Sequence, residues 1–153
     1  MIKKLKLLAI ASEGGHLVQL NRLDDLFKLY DTSIISTNKD YIAPNHFISQ
    51  YTTYDINQDS GVLAKLKNVI RTTYLLYKIK PDVVISTGAL PGLVCIVIAK
   101  ILFRKKTIWV DSIANADELS KSGKAAKKFT DIWLTQWPEL SKKEGPEYIG
   151  SII

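Results

Sequence analysis

The sequence predicts an α/β protein with a Rossmann-like, open and mostly parallel sheet that is covered by helices on both faces. Three observations support this fold class. Short apolar runs alternate with longer segments in which apolar residues recur every three or four positions. The runs are apolar throughout, as strands buried on both faces are. Glycine-containing loops separate several runs from the helical segments that follow them.

Length and composition predict one globular domain over residues 1–153. The chain has 46% hydrophobic and 24% charged residues, which excludes disordered, collagen-like and disulfide-stapled classes. The single cysteine, Cys95, lies in an apolar run and favours a reducing compartment. The longest apolar run, over 90–103, is shorter than the ~20 residues that a membrane-spanning helix needs.

The chain begins with a strand, a helix and a second strand. Its first apolar stretch soon reaches a Gly-Gly pair, which favours a buried strand over Lys6–Ala11 and not a signal peptide. Leucines at helical spacing then predict one helix over Gly15–Tyr30. Residues with β-branched side chains predict a strand over Thr32–Ser36.

A polar stretch and a long helix follow. The polar stretch, Thr37–Ser60, is predicted to be irregular with a short strand near Gln50–Thr53. Helical spacing predicts a helix over Val62–Ile79, which Pro81 ends. The residues that carry this spacing are Val62, Leu66, Val69, Ile70, Thr73 and Tyr77.

The second half of the chain continues the alternation. A continuous apolar run predicts a strand over Val83–Ser86, and a glycine loop separates it from a mostly buried helix over Leu93–Phe103. A strand over Thr107–Asp111 comes next. A helix within Leu119–Phe129 and a strand over Ile132–Gln136 complete the predicted sheet.

Ligands of such sheets bind beyond the carboxyl ends of the strands, where the first candidate loop lies. It contains Ser12, Glu13, Gly14, Gly15 and His16. Glycine amides at a helix start can bind an anion, and His16 can donate to a phosphate or act as a base. Alternatively, the glycines only form a tight turn that His16 caps. The loop lacks the G-x-G-x-x-G pattern, which disfavours nicotinamide cofactors.

Two further loops lie at the same edge. After the third predicted apolar strand, Thr87 and the Gly88 amide can bind phosphate or sugar hydroxyls, or the loop only shapes the turn. After the next strand come Asp111, Ser112 and Asn115. Asp111 is a candidate base or hydroxyl ligand, although a cap on the following helix is the more common role.

Charge and motif content narrow the function classes. The histidines and Cys95 have no metal-ligand spacing, so we predict no metal site, and no nucleophile elbow or Walker loop occurs. The net charge of +6 is spread over several helices, which disfavours a nucleic-acid partner. A membrane surface or a pyrophosphate-bearing ligand fits the charge equally well.

Four motifs together resemble one protein family, and the resemblance covers the chain from Lys6 to about Ile153. The chain is similar to the acceptor-binding, membrane-recruiting subunit of the split UDP-N-acetylglucosaminyltransferase of asparagine-linked glycosylation. Bacterial relatives act in capsule and exopolysaccharide assembly and include galactosyltransferase enhancer proteins. The motifs S-K-S-G-K and Q-W-P-E-L are specific, whereas the Gly-Gly-His loop alone is not. The motifs are S-E-G-G-H at 12–16, K-P-D-V-V-I-S-T-G at 80–88, S-K-S-G-K at 120–124 and Q-W-P-E-L at 136–140.

The resemblance implies the N-terminal half of a MurG-like GT-B glycosyltransferase. Gly14, Gly15 and His16 would contact an undecaprenyl-diphosphate-sugar acceptor, and the loop 87–92 would frame the same cleft. A partner chain, the C-terminal half, would bind the UDP-sugar donor, with no metal and no other cofactor. The transfer would be inverting, with the chain inactive alone. His16 is the first candidate base, with Glu13 or Asp111 behind it, unless the partner supplies the base.

The resemblance also carries expectations about location and assembly. Eukaryotic members have an N-terminal membrane-spanning anchor, whereas we expect this chain to be cytoplasmic and peripheral at the inner face of the plasma membrane. The helix 90–103 with the basic residues 104–106 is the candidate attachment site, or else an ordinary buried helix. The chain's shortness predicts that it forms half of an active site. Its expected docking residues for the partner are Tyr148, Ile149, Ile152 and Ile153.

Two other functions compete with this one. The chain can be a non-catalytic activator that recruits a glycosyltransferase to the membrane, in which case the Gly-Gly-His loop is structural. It can also be a free-standing domain that binds a phosphorylated metabolite, which requires a complete pocket in one chain.

Overall fold

The computed structural model describes residues 4–152. A parallel sheet of seven strands runs through this part of the chain. The strand order is β3-β2-β1-β4-β5-β6-β7, and every pairing is parallel. The predicted fold class is therefore confirmed. The strands are β1 (Lys6–Ala11), β2 (Asp31–Ser36), β3 (Ser49–Thr52), β4 (Val83–Ser86), β5 (Lys106–Val110), β6 (Ile132–Thr135) and β7 (Glu147–Tyr148).

Five α-helices connect the strands among the described residues. Two 3-10 turns, Lys127–Phe129 and Pro138–Leu140, follow later in the chain. The long helix has the predicted bounds, because its spacing and its stop signal are both local. The helices are α1 (Gly15–Asn21), α2 (Asp24–Phe27), α3 (Val62–Ile79), α4 (Ala89–Ile101) and α5 (Lys121–Ala126).

The prediction of one helix over Gly15–Tyr30 is wrong. The helix ends after Asn21, and Leu23 adopts φ −86° and ψ 16°, outside the helical range. Two acidic residues, Asp24 and Asp25, then begin the short α2. The break lets both Leu20 and Phe27 remain fully buried against the sheet while the chain turns back toward β2.

Two later helices also differ from the prediction. Helix α4 begins at Ala89 and not at Leu93, because Pro91 sits in the first turn, where its missing N–H leaves no hydrogen bond unmade. Helix α5 is shorter than the predicted segment. Its N-cap is Ser120, whose hydroxyl oxygen accepts from the backbone N–H of Gly123 at 2.8 Å.

Two apolar clusters cover the sheet, one on each face. Residues of α3, α4 and α5 pack with Leu8, Ile10 and Trp109 on one face. Residues of α1 and α2 pack with Ala9, Ile34 and other alternate strand residues on the opposite face. Strands buried on both sides explain why the apolar runs of the sequence are continuous.

Helix α3 presents its apolar stripe to solvent. The face turned toward the sheet buries Asn68, Thr72, Leu75 and Leu76. The Asn68 amide donates to the Tyr54 carbonyl oxygen at 2.6 Å, which ties this face to the segment after β3. The apolar spacing therefore locates the helix correctly, but most residues that carry it do not face the core.

The carboxyl end of the chain forms an element that the sequence does not predict. Strand β7 pairs Glu147 with Leu134 and Tyr148 with Thr135 of β6. The following tail returns across the sheet, where Ile152 packs against the α1-side cluster. Ile153, one of the expected docking residues, lies outside the described residues.

Candidate functional site

The first two candidate loops meet at the carboxyl edge of the sheet. They follow β1 and β4, which are neighbours although they are far apart in the chain. The strand order reverses here, and such switch points form ligand crevices in open α/β sheets. The Thr87 hydroxyl donates to the His16 carbonyl oxygen at 2.7 Å, and the His16 Nδ1 lies 3.0 Å from the Thr87 carbonyl oxygen.

This pair of contacts defines the tautomer of His16. A carbonyl oxygen can only accept a hydrogen bond, so Nδ1 carries the hydrogen and donates to Thr87. The Nε2 atom of the neutral ring is then the proton acceptor. His16 is half-buried and lines a cavity, and its role as a base stays a prediction.

Gly88 makes this ring position possible. A Cβ atom at Gly88 would lie 2.3 Å from His16 Nδ1 and 2.4 Å from Cε1. The backbone at Gly88 also has φ +139°, which side chains rarely adopt. Because Thr87 and Gly88 are buried and their polar groups bond within the protein, the structure assigns them to positioning His16 and not to ligand contact.

The backbone amides at the start of α1 are available for an anion. Within the described part of the chain, no side chain caps α1, and the first helical bond runs from Val18 N to the Gly14 carbonyl at 3.1 Å. The N–H groups of Gly15, His16 and Leu17 precede that bond and have no intrahelical acceptor. Uncapped amides of this kind bind phosphate or carboxylate groups.

The third loop joins the same site. A cavity of about 520 Å³ brings His16 together with Ser112 and Asn115, as the sequence predicts. It also includes Lys121 and Lys124, to which the sequence analysis assigns no role in the site. Both lysines belong to the S-K-S-G-K motif at 120–124, which could have pointed to the site. The motif contributed to the family resemblance, but no role was assigned to its residues. The remaining lining residues are Ala89, Ala114, Glu118, Leu119, Ser120 and Ser122.

Lys124 also pairs with an acid at the rim of this cavity. Its Nζ lies 2.6 Å from Glu118 Oε2, and the hydrogen bond from Lys124 lowers the pKa of the exposed Glu118 carboxyl. An exposed pair of this kind is screened by solvent. Lys121 is therefore the better-placed cation for an anionic ligand, because among the described residues its Nζ hydrogen-bonds only to the neutral Gln58 side chain, at 3.3 Å.

Asp111 serves a structural role. Its carboxylate is buried, and Oδ1 accepts from the Ser120 hydroxyl at 2.6 Å and from Trp109 Nε1 at 3.1 Å. Oδ2 accepts from the Ser120 backbone N–H at 2.9 Å and from Asn115 Nδ2 at 3.4 Å. A carboxylate held by these donors is not placed to take a proton from a substrate hydroxyl. The catalytic assignment of Asp111 is therefore corrected to a tie between β5 and the start of α5.

The same tie explains the glycine of the S-K-S-G-K motif. A Cβ atom at Gly123 would lie 2.3 Å from Asp111 Oδ1 and 2.8 Å from the Ser120 hydroxyl oxygen. Only glycine lets the first turn of α5 approach the carboxylate this closely. The motif thus builds one wall of the cavity that contains His16.

A buried pair of amides, absent from the sequence prediction, connects the site to the chain terminus. The Gln136 Nε2 donates to Gln19 Oε1 at 2.6 Å and to the Asp111 carbonyl oxygen at 2.9 Å. Gln19 Nε2 donates to the Ser112 hydroxyl at 3.1 Å, and Gln136 Oε1 accepts from Ile152 N at 2.8 Å. The Q-W-P-E-L motif marked Gln136 in the sequence, but nothing in it pointed to Gln19, which is 117 residues away in the chain.

Four predicted residues of the first loop, Ser12, Glu13, Gly14 and Gly15, are not among those that line the cavity. Ser12 is buried, and Glu13 is exposed with its backbone N–H donating to Thr37 Oγ1 at 2.8 Å. Neither lines the cavity that contains His16. The other histidine, His46, lies with Nε2 3.0 Å from Asp24 Oδ1 and also takes no part in the site.

Two of the expected docking residues, Ile149 and Ile152, line an apolar groove beside β5 and β6. Ile149 is 75% exposed and Tyr148 is 39% exposed, whereas Ile152 packs partly against the core. The groove has a volume of about 380 Å³. Its strand-side lining includes Ile108, Val110, Ile132 and Leu134.

The described residues, 4–152, lack two further features. No group of three or more His, Cys, Asp or Glu side chains is arranged to hold a metal ion. In the same part of the chain, no helix combines the length and the apolar character needed to cross a bilayer.

Comparison with known structures supports the fold. Acinetobacter baumannii MurG superposes with a TM-score of 0.75 at 12% identity, covering 96% of this chain and 45% of that one. UDP-N-acetylglucosamine 2-epimerase from Rickettsia bellii gives a TM-score of 0.72 at 16% identity, covering 97% and 45%. The chain therefore spans less than half of the length of these solved proteins.

Comparison at the sequence level is more specific. The human UDP-N-acetylglucosamine transferase subunit ALG14 is 28% identical over 182 residues, covering 99% of this chain and 84% of the human protein. The corresponding Schizosaccharomyces pombe subunit is 39% identical over 79 residues, covering 47% and 37%. The model of the family described as "Oligosaccharide biosynthesis protein Alg14 like" matches residues 48–152. The chain belongs to this Alg14-like family of oligosaccharide biosynthesis proteins.

Proposed function

We propose that this chain is the acceptor-side half of a two-chain, UDP-sugar-dependent glycosyltransferase. The observation that carries the proposal is the cavity at the switch point, which His16 and Lys121 line together at the edge of the sheet where the uncapped helix α1 begins. Family relatives named as transferase subunits support the two-chain arrangement. The chain covers 45% of the length of each of the two solved proteins. This also supports the two-chain arrangement, because each solved protein is long enough to hold a second domain of this size.

The acceptor in this proposal is an undecaprenyl-diphosphate-linked sugar. Its diphosphate binds the N–H groups at 15–17, with Lys121 neutralising further charge. Ser112 and Asn115 line the same cavity and supply polar groups for sugar hydroxyls. A diphosphate ligand also fits the net charge of +6.

The proposed reaction is a direct displacement. His16 Nε2 takes the proton of the acceptor hydroxyl, whose oxygen attacks the anomeric carbon of the donor sugar. The carbon–oxygen bond to UDP breaks as the new glycosidic bond forms, so UDP leaves with the bonding electrons and the configuration inverts. The Thr87 carbonyl oxygen steadies the imidazolium through the hydrogen on Nδ1.

The partner chain in this proposal carries the UDP-sugar site and docks at the apolar groove near Ile149. The groove is open to solvent beside an exposed isoleucine, and burial of such a surface stabilises a subunit contact. The assembly would work at the inner, cytoplasmic face of the plasma membrane. Capsular or exopolysaccharide biosynthesis as its setting remains a prediction from the family resemblance.

The test is transfer by the assembled pair. This chain and its cognate partner are mixed with labelled UDP-sugar and the lipid-diphosphate acceptor, and the product is counted. His16→Gln is expected to lower kcat by ~10²–10⁴-fold, the usual contribution of a general base. His46→Gln is the matched control, and we expect it to leave kcat within about twofold, because His46 lies outside the cavity.

Two outcomes would count against the proposal. If the partner transfers sugar equally well without this chain, the chain is not part of the active site. If His16→Gln leaves the pair fully active while removal of the whole chain abolishes activity, the chain is the non-catalytic activator of the alternative hypothesis.

A further inference from the structure

The hydroxyl of Ser112 is buried and accepts two hydrogen bonds. Gln19 Nε2 donates to its oxygen at 3.1 Å, and the backbone N–H of Ala114 donates to it at 3.3 Å. A serine hydroxyl has two lone pairs and one hydrogen, so both of its acceptor positions are filled. Among residues 4–152, no acceptor is bonded to the remaining hydrogen. Ser112 is only 6% exposed, and a buried donor without a partner is costly.

Main-chain groups around a buried glutamine set the direction of these bonds. Gln136 Oε1 accepts from the Ile152 N–H at 2.8 Å, and Gln136 Nε2 donates to the Asp111 carbonyl oxygen at 2.9 Å. A main-chain N–H only donates and a carbonyl oxygen only accepts. The Gln136 amide therefore has one orientation.

The orientation of Gln136 determines that of Gln19. Gln19 Oε1 faces two donors, Gln136 Nε2 at 2.6 Å and the Ile113 N–H at 3.1 Å. The NH₂ group of Gln19 is therefore the part that faces Ser112, and the serine oxygen must accept from it. A chain of hydrogen bonds thus runs from the tail at Ile152 to a residue of the candidate site.

We infer that the Ser112 hydroxyl donates to an oxygen of the ligand and determines specificity, and that Gln19 is the residue that positions it. Ser112 lines the cavity that contains His16, so a ligand in this cavity supplies the missing acceptor. The recognised chemistry is an oxygen with a free lone pair, which belongs either to the diphosphate or to the attached sugar. This inference rests on the acceptor of the proposed function and adds the direction of one of its hydrogen bonds. A ligand group that only donates is disfavoured at this position.

Gln19 is buried and does not line the cavity, so it can be changed without altering the cavity wall. The replacement Gln19→Glu keeps the length of the side chain and the oxygen that accepts from Gln136 and Ile113. The second carboxylate oxygen only accepts, so the Ser112 hydroxyl turns to donate to it. The ligand then loses this hydrogen although no residue that lines the cavity has changed.

Binding of acceptor analogues to the isolated full chain tests the inference. Two water-soluble probes, citronellyl diphosphate and citronellyl-diphosphate-glucose, are titrated by calorimetry, which requires neither the partner nor transfer. Ser112→Ala is expected to raise the Kd of the sugar-bearing probe by about tenfold or more, because it removes a buried hydrogen bond. An equal loss for both probes assigns the contact to the diphosphate, and a loss for the sugar-bearing probe alone assigns it to the sugar.

A double-variant cycle tests the role of Gln19. We expect Gln19→Glu to raise the Kd about as much as Ser112→Ala does. In the chain that already carries Ser112→Ala, it should change the Kd by less than about twofold, because both variants act through the same hydrogen. Direct repulsion of the ligand by the added charge would multiply the two losses instead.

The matched control is Asn21→Asp. It adds the same charge to the same helix, outside the cavity, and it keeps the oxygen that accepts from the Tyr41 hydroxyl. We expect it to bind both probes within about twofold of the unaltered chain.

Gln19→Met tests the same position without a buried charge. It removes the donor to Ser112, so the hydroxyl is free to rotate and loses its fixed direction toward the ligand. We expect the Kd to rise by about threefold or more, and to change by less than about twofold when Ser112→Ala is already present.

The inference is overturned if the unaltered chain binds neither probe, or if Ser112→Ala binds both probes as tightly as the unaltered chain does. It is also overturned if Gln19→Glu weakens binding equally with and without Ser112→Ala. Where Gln19→Glu does not fold, the same result with Gln19→Met decides. Failure of the proposed function is a separate result, because it appears as absence of sugar transfer by the assembled pair, on which these binding measurements do not depend.

Discussion

Replacing Asp111 with asparagine separates a structural carboxylate from a catalytic one. The carboxylate accepts four hydrogen bonds, from Trp109, Asn115 and twice from Ser120. An asparagine keeps one acceptor oxygen and replaces the other with an NH₂ group, which only donates. Whichever way the amide turns, an N–H of Trp109 or of Ser120 then faces another donor in a buried site.

The size of the effect follows from these contacts. A hydrogen bond to a charged group contributes about 1.5–3 kcal/mol, and a buried donor left without a partner costs about 1–3 kcal/mol. We therefore expect Asp111→Asn to lower the free energy of unfolding by about 3–5 kcal/mol. In a chain of 153 residues this corresponds to a fall in Tm of roughly 6–20 °C.

Urea unfolding at pH 7, followed by tryptophan fluorescence, measures the effect. Trp109 is buried beside Asp111 and reports on the site directly. The matched control is Asp117→Asn, because Asp117 is an exposed aspartate in the same loop, and we expect a change within about 0.5 kcal/mol. A variant Asp111→Asn of unaltered stability, but without activity in the assembled pair, would refute the structural assignment and restore Asp111 as a catalytic base.

Three further predictions concern single residues. Ala89 has φ +64°, so Ala89→Gly is expected to raise the free energy of unfolding by about 1 kcal/mol in urea titration, and a loss of stability would contradict this. Burial raises the pKa of the Cys95 thiol to about 12, so iodoacetamide at pH 8 should label it only after unfolding; rapid labelling of the folded chain would show that the site opens. Although burial opposes the shift, hydrogen bonds from Lys100 and Thr107 hold the pKa of Asp131 below its ordinary 3.8. Asp131→Asn should therefore cost about 1–2 kcal/mol at pH 7, and the difference should shrink as the pH falls below 3.8, where the wild-type carboxylate loses its stabilising charge. A difference that persists unchanged at pH 2.5 would contradict this reasoning.

The candidate site was only partly predictable from the sequence. Strands β1 and β4 were recognisable, and parallel strands present their following loops at one edge, so the convergence of the first two loops could be expected. The division of roles among the residues of these loops could not be expected from the sequence. Thr87 and Asp111 are polar residues in candidate loops, yet their side chains are buried and bonded within the protein. Thr87 bonds to His16, 71 residues away in the chain, which a local pattern does not identify. The partners of Asp111 lie within nine residues of it, but only the folded loop brings them to its carboxylate.

The sequence by itself determined the class of fold and most element positions, because apolar periodicity and proline or glycine signals act within a few residues. It also determined the family, through motifs spread along the chain. Only the tertiary structure decided which side of α3 faces the sheet. Asn68 and Thr72 turn inward because their hydrogen-bond partners lie in the segment after β3, which leaves the apolar stripe outside. The same physical reason holds for His16, whose orientation depends on a carbonyl oxygen 71 residues away that chain folding alone brings within 3.0 Å.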